Sequence, residues 1–256
     1  MSEAKGQSQK PSCKAGDTIN GQEIILRLGA ELGSPDDQHN MGIWLRDGLD
    51  VRQDPEEAVT WFERAANRGH SEAQLSLGAC YDLGNGIAMD KAMAVHWYNK
   101  AAAQNNPGAI HNLALMHAEG EVPESRRDIN KAIDLYLQSA ALGHLPAQFN
   151  LAMIYDEGAP PEIPQNAREA IKWYQIAAEQ GDTDAMFNLG VIFEGEKGIM
   201  RDEIQAHMWY TLAADHGDPD APSEIQALEQ SMAEEARIEA RSRAVEWSSR
   251  RSRANE

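Results

Sequence analysis

The stretch KWYQIAAEQGDTDAMFNLG, residues 172–190, closes one helical pattern on Trp-Tyr and Ala-Ala, turns at Gly181, and opens a second pattern that ends on Leu-Gly. Its opening phrase recurs along the chain as VTWFERAANRGH, VHWYNKAAAQNN, IDLYLQSAALGH, IKWYQIAAEQGD and HMWYTLAADHGD. Measured from Trp61, Trp97, Leu135, Trp173 and Trp209, the steps are 36, 38, 38 and 36 residues. A period of this size belongs to helical solenoids, in which each unit hides its apolar face only by stacking on a neighbour.

The closing phrase recurs in register as DQHNMGIWL, AQLSLGACY, AIHNLALMH, AQFNLAMIY and AMFNLGVIF. Apolar and small residues fall at offsets of three and four in both phrases, so each unit reads as two helices, A and B, with no strand-type alternation. A small residue stands mid-way through every helix A, at Gly42, Gly78, Ala114, Ala152 and Gly190. With the Ala-Ala pairs of helix B it lets two axes approach to roughly 8–10 Å, and the aromatic Trp and Tyr are expected to fill the wedge between successive units. Gly69, Gly143, Gly181 and Gly217 follow helix B where a left-handed C-cap is wanted, and Pro35, Pro107, Pro146 and Pro219 stand where the next helix begins.

These residues resemble the Sel-one-like repeats, a branch of the tetratricopeptide-type α-solenoids. That pattern runs Ala-x-x-x-Leu-Gly-x-x-Tyr-x-x-Gly and then Ala-x-x-Trp-Tyr-x-x-Ala-Ala-x-x-Gly. The second copy carries it at Ala73, Leu77, Gly78, Tyr81, Gly84, Ala94, Trp97, Tyr98, Ala101 and Ala102. Departures are Asp37 for the first Ala, Asn105 for a closing Gly, His117 for Tyr, Leu135 for Trp, and Glu196 for Gly. The resemblance implies an all-α fold, an α-solenoid winding as a right-handed superhelix of about five helix-turn-helix repeats with helical caps.

The expected organisation is a disordered leader over 1–20, a capping helix over 21–34, five repeats over 35–220, a capping helix over 221–248 and a basic tail over 249–256. The first cap rests on ILRLGAELG (25–33), which aligns one repeat spacing before WFERAANRG as a helix B without its partner. The second rests on Ser223 as N-cap and the stripe Ile225, Leu228, Met232, Ala236. The tail is expected to stay solvated rather than fold into an acidic groove, because exposed ion pairs contribute only about 0–1 kcal/mol each. Two extra residues between the hairpin helices of copies three and four, in EVPESRRDINK and APPEIPQNARE, read as neutral length drift, with Arg126 and Arg127 given no special weight.

Charge narrows the partners. Lys plus Arg is 23 and Asp plus Glu is 41, a net charge of −18 that repels phosphate backbones and anionic membranes, so neither nucleic acid nor membrane insertion is expected. The two cysteines, Cys13 and Cys80, build no disulfide framework and fit a reducing, cytoplasmic setting. No window reads as a secretory signal or a membrane span.

No nucleophile elbow, phosphate loop or His-Glu-x-x-His is present, so no catalytic residue, cofactor or metal is assigned. The reading is a non-enzymatic protein-interaction scaffold or adaptor. The alternative is a hydrolase-like enzyme using carboxylates with His39 or His111. In the family resembled, helix A lines the concave groove. Aligning each copy on its Leu-Gly pair carries over as groove positions His39, Ile43 and Asp47; Glu72, Leu75, Ala79 and Asp82; His111, Leu115 and Glu119; Phe149, Met153 and Asp156; and Asp184, Phe187, Val191 and Glu194. Such a groove suits a protein or peptide with basic and apolar anchors, bound by a monomer or weak homo-oligomer. Leu75, Leu115, Phe149 and Phe187 also have a second reading, as packing against neighbouring helices.

Overall fold

The computed structural model describes residues 21–49, 51–123, 126–195 and 198–254. The expected leader, Cys13, Glu196 and the last two residues of the tail lie outside the described residues. Helix α1 (Gly21–Leu32) precedes five hairpins: α2 (Pro35–Asp47) with α3 (Pro55–Asn67), α4 (Ser71–Leu83) with α5 (Lys91–Ala102), α6 (Pro107–Glu119) with α7 (Ile129–Ala141), α8 (Leu145–Glu157) with α9 (Ala167–Glu179), and α10 (Thr183–Phe193) with α11 (Glu203–Asp215). Helices α12 (Ala221–Glu229) and α13 (Glu234–Ala254) follow. Each helix packs on the next through α12, and α13 returns onto α11, the arrangement of an α-solenoid. Among the described residues there is no strand, only an isolated bridge between Ala159 and Ile163.

All the hairpin helices except α8 start where a polar side chain satisfies otherwise orphaned backbone N–H groups. Asp54, Asp90, Asp128, Asn166 and Asp202 cap the five B helices, each accepting a backbone N–H two or three residues on. Ser34, His70, Asn106 and Asp182 do the same for four of the A helices, with Pro35 and Pro107 just inside α2 and α6. Five of the 41 carboxylates, Asp54, Asp90, Asp128, Asp182 and Asp202, are therefore structural caps. At the other ends, Gly48, Gly84 and Gly120 adopt left-handed φ of 73°, 69° and 75°. Asn105, in the place of a closing glycine, takes φ 59°, a conformation Asn tolerates better than other side chains do.

The packing of the hairpin corrects one expectation. The second aromatic of the Trp-Tyr motif does not fill the wedge between units; it lies over the small residue of its own helix A. A Cβ on Gly78 would sit 2.6 Å from the Tyr98 ring, and the rings of Phe62 and Tyr210 cover Gly42 and Gly190 in the same way. The preceding Trp does reach backward between units: Trp97 joins the core of the first hairpin, and Trp173 packs on that of the third. Leu135, standing where Trp was expected, bridges the second and third.

The C-terminal end also differs from expectation. The single capping helix over 221–248 is two helices, because the chain turns between α12 and α13 and the Arg237 guanidinium holds the Met232 carbonyl there through Nε (3.1 Å) and Nη2 (2.9 Å). Asp220, not Ser223, occupies the N-cap position of α12. Residues 249–254, expected as a solvated tail, continue α13. There Arg251 lies over Trp247 and against Gly181 and His216, at the C-terminal ends of α9 and α11, where a cation complements the helix dipoles.

Candidate functional site

The carried-over groove residues divide by what surrounds them. Three of the carboxylates are held by the tyrosines of their own hairpins. Tyr98 OH donates to Asp82 (3.1 Å), Tyr174 OH to Asp156 (3.5 Å) and Tyr210 OH to Glu194 (3.0 Å). Asp156 is only 4% exposed, and Asp82 also binds the Lys91 ammonium at 2.7 Å. Burial first, and then these carboxylates, hold the Tyr98 and Tyr174 phenols well above their ordinary value. The first hairpin carries Phe62, with no hydroxyl, and has Arg46 at the carboxylate position. In the third hairpin Ala118 stands at that position and the buried Tyr136 hydroxyl accepts from Asn150 Nδ2 (3.4 Å), so each buried tyrosine hydroxyl has a polar partner, an acid in three of the four cases.

Other members have local partners. Asp47 forms a two-point ion pair with Arg46 (2.7 and 2.8 Å), which lowers its pKa. Glu72 accepts from Asn106 Nδ2 at 2.6 Å. Leu75 is half-buried against Gly108 of the next unit, and Ile43 packs on the first core. Phe149 meets Tyr174 edge to face at 5.6 Å, and Phe187 meets Tyr210 at 5.2 Å. Val191 packs half-buried on the C-terminal core, Ala79 is half-buried, and Glu119 and Asp184 are exposed.

The two histidines sit at equivalent seams. His39 Nε2 lies 3.0 Å from Ser76 Oγ and its ring 4.9 Å from that of His70. His111 Nε2 lies 3.0 Å from Asn150 Nδ2 and its ring 5.1 Å from that of His144. At seams two units apart, a hydroxyl and an amide thus fill the same role, which reads as a hydrogen bond between units rather than a nucleophile with its base. His70 is committed too: Nδ1 accepts from the Ala73 N–H (3.0 Å) and Nε2 faces Asp36 (2.9 Å). Among the described residues no group of three His, Cys, Asp or Glu is placed to hold a metal ion.

Burial, followed by the neighbouring His70 and Arg46, lowers the His39 pKa from 6.5 to about 4; burial lowers His111 and His144 as well. A depressed histidine makes the unfolded chain the stronger proton binder between the two pKa values. Its contribution is therefore complete above pH 6.5 and is lost as pH falls toward 4. For half-exposed His39 the screened loss is on the order of 1–2 kcal/mol. Phe occupies the equivalent position at Phe149 and Phe187, so His39→Phe is the matched control. The gap between its urea midpoint and that of the parent chain is expected to widen in its favour from pH 7.5 to pH 4.5, and an unchanged gap would contradict the assignment.

What the row of A helices leaves open is a cleft of about 250 Å³ between the third and fourth units. Leu115, Met153, Ile154 and Ala159 form its apolar lining, with Arg127 and Glu157 among its polar residues. Only Leu115 and Met153 of the carried-over positions meet there. Arg127, given no weight from the sequence, shapes the edge: its Nε donates to the Ala118 carbonyl (3.0 Å), and it pairs with Glu162 at 3.8 Å. That ion pair joins the two insertions, whose shared extra length was the only sequence signal.

A sequence model of the Sel1 repeat matches residues 35–70, 71–106, 107–144, 145–182 and 183–218, the five hairpins with their turns. The chain belongs to the Sel1-repeat family. A solved Sel1 repeat protein from Oxalobacter formigenes superposes with a TM-score of 0.68 at 27% identity, covering 83% of this chain and 88% of that one. Among curated relatives, protein SHC1 of Saccharomyces cerevisiae is 28% identical over 102 residues, which is 40% of this chain and 20% of the relative. DAP3-binding cell death enhancer 1 of Rattus norvegicus is 31% identical over 100 residues, 39% of this chain and 19% of the relative. The chain thus matches about a fifth of the length of each of these curated relatives. No described helix is long and apolar enough to cross a membrane.

Proposed function

We propose that this Sel1-repeat chain is a non-enzymatic adaptor that seats an apolar side chain of a protein partner in the cleft between α6 and α8. Sel1 repeats serve protein–protein interaction, and one relative is named for binding another protein. The observation that carries the reading is the cleft itself, the place where exposed apolar surface from two adjacent A helices converges. The partner's flanking residues are basic, because the body around the cleft is acidic and steers cations toward it.

The test is capture of partners from native lysate by the purified chain at low and moderate salt. Met153→Glu is expected to weaken capture at least about tenfold, roughly 1.4 kcal/mol. Met200→Glu, at an 89% exposed site away from the cleft, leaves it unchanged. Met153 is itself exposed, so the variant keeps its fold. Undiminished capture by folded Met153→Glu refutes the cleft as the seat.

A further inference from the structure

Helix α1 presents an apolar face that nothing in the described structure covers. Ile24, Ile25, Leu28 and Leu32 are 48, 70, 57 and 89% exposed, while Glu23 and Ala30 on the opposite side are buried and Leu26 packs on the first core. At the 3.6-residue helical period the four aliphatics share one stripe. A single exposed Leu is ordinary, whereas a contiguous patch of a few hundred Å² marks an interaction surface.

The repeats show what such a face is for. In the register that lays α1 over α3, Ile24, Leu28 and Leu32 correspond to Thr60, Arg64 and Arg68, and in α5 to His96, Lys100 and Gln104, all exposed. In α11 the matching positions are Met208, Leu212 and His216. There Met208 is 7% and Leu212 0% exposed, because α13 lies across them. In α7 and α9 the matching residues are Asp134, Gln138 and Leu142, and Lys172, Ile176 and Gln180, so helix B carries at most one aliphatic at these positions where no helix covers it and two where α13 does. α1 carries three with no helix upon it.

We infer that α1 of a second copy covers this face, the two helices packing antiparallel about a two-fold axis near Leu28. The stripe is self-complementary in that arrangement, Ile25 of one copy meeting Leu32 of the other, as an isologous contact requires. Gly21 and Gly29 leave open space where a Cβ would stand, so the helices approach closely. The charges on α1 are already matched within one copy: Arg27 pairs with Glu23 and Glu57, and Glu31 with Arg64 at 2.8 Å, so no unpaired charge is buried on contact. The 20 residues before α1 supply only Met1 and Ile19 as large aliphatic side chains, too few to match the stripe.

Sedimentation equilibrium of the full chain from micromolar to sub-millimolar concentration tests this. Dimers are expected, and raising salt should preserve or strengthen them, because screening relieves the repulsion of two bodies of charge −18. Loss of a basic partner from the cleft goes the opposite way with salt, so the two proposals fail separately. Leu28→Glu is expected to raise the dimer Kd at least tenfold with an unchanged helical signal and urea midpoint. In a Cys13→Ser background, Leu28→Cys should form a disulfide-linked dimer under mild oxidation, since Cys80 is buried. A wild-type chain that stays monomeric throughout, a Leu28→Glu chain that still dimerises, or a Leu28→Cys chain that does not cross-link overturns the inference. Cross-linking between Leu28→Cys and Val245→Cys chains instead would replace it with head-to-tail stacking.

Discussion

Tyr210→Ala is expected to lower stability by about 3–5 kcal/mol, as removal of a fully buried aromatic does. The ring is 0% exposed and rests on the bare Cα of Gly190, which has no side chain to fill the space. Tyr210→Phe keeps the ring and loses the hydroxyl's bond to Glu194, which is half-exposed and regains water, so its cost is about 1 kcal/mol. Urea titration followed by tryptophan fluorescence reads both, since Trp209 is adjacent and packs on Trp247 at 5.6 Å. Equal losses for the two variants would mean that the hydroxyl, not the ring, carries the hairpin.

The double variant Phe149→Glu with Phe187→Glu is expected to cost about 3–5 kcal/mol through lost aromatic packing and burial of charge, and so to act on the fold rather than selectively on a partner. Each ring leans on the buried tyrosine of its own hairpin, and a carboxylate there would face the Tyr174 or Tyr210 ring. Circular dichroism melts should show an early transition for the double variant and a parental one for Met153→Glu. If the double variant melts with the parent, these phenylalanines face solvent and count again as partner anchors.

The hairpins were legible because close helix contact constrains residue size at a fixed position: Gly42, Gly78, Ala114, Ala152 and Gly190 lie under a ring or must stay small. The groove was legible only incompletely. Spacing alone put Asp82, Asp156 and Glu194 on the same row as Met153, and it could not reveal that tyrosines 16 to 18 residues later claim those carboxylates. The contrast was nonetheless written in the chain, since the unit with Phe62 carries Arg46, and the third unit Ala118, where the other three carry an acid. The turn between α12 and α13 was hidden for another reason. No Gly or Pro interrupts residues 230–234, and the bend is held by Arg237 reaching a backbone carbonyl. Likewise the contacts of Arg251 depend on helix ends that lie about 35 and 70 residues away along the chain.

The alternation of the seams has a consequence for anyone who would cut or extend this array. His39 with His70, and His111 with His144, mark the first and third seams, while Leu75 against Gly108 marks the second. The module to be spliced is accordingly a tandem of two units. Excising residues 71–144 leaves His39 beside His70, brings Asn150 to it in place of Ser76, and offers the Ala66 carbonyl to Gln148, which now holds Ala140, in place of Gln74. Excising one unit alone would set the His39 face against α6, which in the parent chain meets Leu75 instead.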